Sequence, residues 1–119
     1  IISLLISEPL KKAEFDLLQA DKRLQAGVYL LKKDKTKATL AISTISKGQN
    51  YFEESILKLK EAKKQRKDIG SLLDRIINSS KKHLEVLKEF VGDVKDNKEE
   101  ASKLIERMQK LQLDAIGIK

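Results

Sequence analysis

His83 is the single histidine of the chain and sits in SKKHLEVLKEF. Histidine is the usual general base and a common metal ligand near neutral pH, so a search for chemistry starts there. Its neighbour Leu84 belongs to an apolar stripe, which makes His83 a boundary or surface residue by position. Order along the chain supplies no serine–histidine–aspartate relay. Helical bundles can hold two metals through Glu-x-x-His motifs, but the residue three before His83 is Ser80, and there is no second histidine. With no cysteine, thiolate ligands, thiol nucleophiles and disulfides are excluded. The adjacent pairs Glu53-Glu54 and Glu99-Glu100 point to different sides of a helix, so neither forms an acid pair of the glycosidase kind. Other carboxylates, such as Glu14, Asp21, Glu61, Glu85 and Glu106, fall on polar faces. No catalytic residue, metal site or cofactor is expected, and the chain is read as not an enzyme.

The stretch KLKEAKKQRK holds six positive charges, Lys58, Lys60, Lys63, Lys64, Arg66 and Lys67, against one negative. Cations at the C-terminal end of a helix oppose its negative dipole end, so a solvated helix terminus accounts for them. The functional alternative is contact with a polyanion: a cell-wall polymer, an anionic lipid or nucleic acid. The net charge of +7 comes mostly from lysine, a mobile and well-hydrated charge rather than a bidentate fork. No zinc pattern, aromatic ribonucleoprotein motif or short recognition-helix module accompanies it. Gly48, in SKGQNYFEE, belongs to no phosphate-loop pattern; Gly48 and Gly27 read as packing positions, and Met108 as core.

These residues need elements to place them. With 5 Gly and 1 Pro in 119 residues the chain is little punctuated, and 40% hydrophobic residues suffice for one aliphatic core. Ser7 suits an N-cap, with Pro9 in the first turn. A first helix runs from about Pro9 to Lys33 along Leu10, Ala13, Leu17, Ala20, Leu24, Gly27 and Leu31, a heptad seam joined by Leu18 and Val28. Asp34-Lys35-Thr36 makes a tight connection. The β-branched ATLAISTIS could pass for a strand, but Ala38, Ala41, Ile45, Gly48, Phe52, Ile56, Leu59 and Ala62 keep a helical period, predicting a second helix over about Thr36 to Lys67.

Gly70 is expected as a left-handed cap, with Ser71-Leu72-Leu73-Asp74 as a capping box for the third helix. The third stripe is Leu72, Leu73, Ile76, Ile77, Ser80, Leu84, Leu87 and Val91, ending at Gly92-Asp93. Asn97 with Glu100 starts a fourth helix along Ala101, Leu104, Ile105, Met108, Leu111 and Ala115, ended by Gly117. The expected fold is all-α: a single domain over residues 1–119, an antiparallel up-down bundle of four long amphipathic helices. A tetratricopeptide array is excluded, because these helices are too long for its repeat. No apolar run is long enough to span a membrane.

The stretch from Ser7 to Asp68 is similar to a bacterial family of helical domains of unknown function, found in secreted or envelope proteins of uncultured, small-genome bacteria and some Gram-positives. The similarity rests on Pro9, on Lys12-Ala13-Glu14, on Ala20-Asp21-Lys22-Arg23-Leu24, on the Lys32-Lys33-Asp34 turn, and on the SKKHLEVLKEF stretch. It implies an extracytoplasmic setting, with IISLLIS (residues 1–7) as the tail of a truncated preceding segment. It implies no activity, substrate or cofactor. The function expected is a non-catalytic extracytoplasmic helical module, structural or engaged with a protein partner, with self-association through the apolar N-terminal residues as a further option. The alternative is polyanion binding through the Lys-rich end of the second helix.

Overall fold

A computed structural model describes residues 8–119, four helices with no strand among the described residues. The helices are α1 (Pro9–Lys33), α2 (Ala38–Lys64), α3 (Gly70–Asp93) and α4 (Lys98–Ile116), with a 3₁₀ turn at Lys35–Lys37. The expected cap at Ser7 lies outside the described residues, as do residues 1–7 as a whole. Glu8 caps α1, its carboxylate accepting from Leu10 N and Lys11 N, each at 3.0 Å. Those two amides hold the Glu8 carboxyl below its usual range.

Asp34 closes the first hairpin: its carboxylate accepts from Thr36 N at 3.0 Å and Thr36 Oγ1 at 2.6 Å. This is the local side-chain bonding that makes aspartate a turn residue. Across the hairpin, small residues recur every seventh position: Ala13, Ala20 and Gly27 on α1, then Ala41, Gly48 and Ser55 on α2. Gly27 meets Ala41 and Ile45, Gly48 meets Ala20 and Arg23, and Ser55 Oγ donates to Ala13 O at 2.7 Å. Each small residue therefore faces one equally far from Asp34, and α1 and α2 run antiparallel. A Cβ on Gly27 would stand 2.4 Å from Ile45 Cγ1 and 2.9 Å from Ala41 O, so the backbones approach only because nothing intervenes.

The two hairpins stack in the same sense. Arg75 pairs with Glu14, while Ser79 and His83 meet Asp21, so α3 runs parallel to α1. Asn97 bonds Thr39, Gln49 bonds Leu104 O and Lys60 pairs with Asp114, so α4 runs parallel to α2. Around the square the order is α1, α2, α4, α3. Direction alternates from each helix to the next along the chain. The lateral neighbours, however, are parallel, and α2 and α3 meet mainly across the diagonal, where Phe52 touches His83 edge-on with ring centroids 5.3 Å apart. The reason lies on α2's other flank, where Gln49, Asn50, Glu53 and Lys60 find partners on α4.

Two boundary expectations change. Gly70 is no left-handed cap; it opens α3, its N–H bonded to the Asp68 carboxylate at 3.2 Å, and Ser71 caps nothing. The left-handed residue is Arg66, at φ 61. Lys67 N donates to Ala62 O and Arg66 N to Lys63 O, the paired bonds of a Schellman ending. Asn97 begins α4 as expected but at φ 66, its side chain spent on Thr39 rather than on the helix.

Candidate functional site

Above the first three turns, α1 and α3 are tied by charge. Arg75 Nη1 lies 2.6 Å from Glu14 Oε2. One heptad on, Ser79 Oγ donates to Asp21 Oδ1 at 2.8 Å, and His83 Nε2 stands 2.7 Å from the same oxygen. His83 is 3% exposed, so it is a core residue with a polar partner rather than the boundary or surface residue expected from position. Burial works to raise the Asp21 carboxyl, but the hydrogen bonds from His83 and Ser79 outweigh it and hold it below the usual aspartate value.

The cluster contains a serine, a histidine and an aspartate, but they are not wired as a hydroxyl–imidazole–carboxylate relay. Ser79 donates to the carboxylate, not to His83, so the imidazole takes no proton from the hydroxyl. Nor does any group of three or more potential ligands among the described residues gather at metal-binding distance. The arrangement is an interhelical clasp. Its Asp21 Oδ2 accepts no hydrogen bond from the described residues, and the Asp21 side chain is 39% exposed.

Beyond the clasp lies a groove between the two helices. It measures about 710 Å³ and runs along their last three turns, with Leu24, Val28, Leu31, Val86 and Phe90 as its apolar lining. Asp21 stands at one end, Glu89 and Asp93 toward the other, with Lys32, Lys82 and the 60%-exposed Tyr29 on the rim. An apolar cleft of this volume with a few convergent polar groups has the make-up of a binding site. The stripe residues Leu24, Val28 and Leu31 are legible as apolar in sequence. Leu24 and Leu31 are nonetheless buried, so the apolar surface the groove offers is that of the partly buried Val28 and Val86, which the stripe alone does not single out.

The six cations of the Lys-rich stretch divide into two sets. Lys58 pairs with Glu61 at 2.9 Å, Lys60 with Asp114 at 2.8 Å, and Lys63 donates to Ile118 O at 2.7 Å. The Glu61 hydrogen bond holds the Lys58 ammonium above its usual value. Lys64, Arg66 and Lys67 are exposed and form no ion pair among the described residues. No described helix is long and apolar enough to cross a membrane. No family model matches the chain, and neither a curated protein nor a solved structure matches it.

Proposed function

We propose that this chain is a non-catalytic helical binding module, engaging a protein partner through the groove between α1 and α3. The observation that carries this reading is the groove itself: the partly exposed apolar side chains Val28 and Val86 beside a polar clasp, on helices fixed by the seam behind them. Sites on helices with locked neighbours hold their geometry better than sites on loops. The extracytoplasmic setting belongs to the same proposal and is supported by the sequence resemblance alone.

The test is a pull-down from envelope extract at low and high salt, with the wild type and a Val28→Arg variant as baits. Val28 is only partly buried, so the variant keeps its core. A partner held at high salt by the wild type and lost by Val28→Arg supports the reading; a partner held equally by both contradicts it. A second reading, polyanion binding, is favoured by Lys64, Arg66 and Lys67, which are exposed and form no ion pair among the described residues. It predicts retention at low salt only, abolished when those three are neutralised.

A further inference from the structure

The groove's charge points to the chemistry of what fills it, given that the groove is a docking face. We propose that the occupant is a basic amphipathic helix of the partner protein, its apolar row seated on the partly exposed Val28 and Val86 and one lysine or arginine bonded to Asp21. Three observations support this. First, the chain carries a net charge of +7, yet the groove places Asp21, Glu89 and Asp93 against only Lys32 and Lys82. Second, both parallel helices end at its far mouth. The last turn of α1 is neutralised by Lys32 and Lys33, whereas the last turn of α3 holds no basic residue and ends on Asp93.

An acid at a helix C-terminus is repelled by the dipole, an arrangement that an incoming cation relieves. Lys98 reaches that end only at the Val91 carbonyl, 2.9 Å away, leaving Glu89 and Asp93 without an ion pair among the described residues. Third, Asp21 Oδ1 accepts from Ser79 and meets His83, while Oδ2 accepts no hydrogen bond among the described residues, so the clasp presents an oriented acceptor. A groove along three helical turns is about 16 Å long, which suits anchors at i, i+3 or i+4, and i+7 of a docked helix.

The experiment uses the full isotope-labelled chain and two synthetic helical peptides, each about four turns long. They share one leucine face; one has lysine and the other glutamate at the remaining charged positions. Amide shifts of Val28, Val86 and Phe90 report occupancy. The lysine peptide is expected to shift them and to bind about tenfold more tightly than the glutamate peptide. A Glu89→Gln, Asp93→Asn double variant, which touches no core residue, is expected to shrink that preference. Equal or tighter binding of the glutamate peptide at these amides overturns the inference and leaves the docking reading standing. If neither peptide shifts them, the docking reading itself falls, and this inference with it.

Discussion

Toward α2, helix α1 presents Ala13, Ala20 and Gly27, and the backbones come so close that a single methyl would strike Ile45 and the Ala41 carbonyl. Toward α3 it presents Leu24, Val28 and Leu31, which line a groove between the two helices. The same helix is closed on one flank and open on the other. Residue size decides which: small side chains let two helices approach along their length, whereas larger ones hold them apart unless the facing helix supplies matching depressions. α3 supplies Ser79 opposite Asp21, then Val86 and Phe90, and along this stretch Leu24, Leu31 and Phe90 are buried while Val28 and Val86 stay partly exposed.

The aspartates of α1 differ in the same way. Asp16, on the closed flank, is fully buried; burial raises its carboxyl against the pull of the Lys12 hydrogen bond at 3.1 Å. Its Oδ2 has no partner among the described residues. Asp21, on the open flank, is half-exposed and clasped, and its carboxyl is lowered. Two carboxylates a turn and a half apart thus contribute to stability with opposite pH dependence.

The contrast can be broken most forcefully at the seam. Gly27→Ala is expected to destabilise the chain by about 2 kcal/mol, an overpacking cost of about 3 less a helix-propensity gain of about 1. Gly48→Ala should cost less, since the nearest atom to its added methyl, Arg23 Cβ, lies 3.0 Å away and the nearest carbonyl 3.2 Å away. Urea unfolding of both variants measures the difference.

On the open flank, Asp21→Asn is expected to cost about 1 kcal/mol at neutral pH, a charged hydrogen bond discounted for exposure. The lowered folded value means that Asp21 stabilises the fold above the ordinary aspartate range, near pH 4, and that this contribution is lost as pH falls through its folded value. The gap between variant and wild type should therefore close on acidification. Asp16→Asn should show the reverse trend, because a raised folded value makes the wild type relatively more stable as pH drops. Parallel stability curves for wild type and Asp21→Asn would remove the clasp from the account. The smallest effect is expected at Arg66→Gly: relief of a left-handed conformation, about 1 kcal/mol, less the entropy cost of glycine, for a net gain of about 0.5 kcal/mol.

Helix existence and the core stripes were legible because amphipathic period persists over many turns, enough to override the β-branched ATLAISTIS. Ala38, Ala41 and Ile45 are buried there as the period requires, and Phe52 and Ile56 continue the stripe. Pro9–Lys33 matches its expected bounds, since a proline opens it and an aspartate turn closes it. Gly70 misled because glycine is the common left-handed cap, whereas here an arginine takes that conformation. The lateral order of the helices was not legible, because it depends on matches such as Gln49 with Leu104 that leave no periodic trace. The clasp was hidden for the same reason. Ser79 and His83 share a face at helical spacing, but Asp21 lies 62 residues from His83. The six cations were visible as a group; that three of them are occupied by Glu61, Asp114 and Ile118 was not.

Adjacent residues offer the most direct test of a helix closed on one side and open on the other. Val28→Phe adds bulk toward the groove, and Gly27→Ala adds one methyl toward the seam. Side-by-side urea unfolding should show Val28→Phe within about 0.5 kcal/mol of wild type and Gly27→Ala lower by about 2 kcal/mol. Equal losses in the two variants, or a larger loss at Val28, would mean that the groove is filled in solution and the contrast between the flanks is wrong.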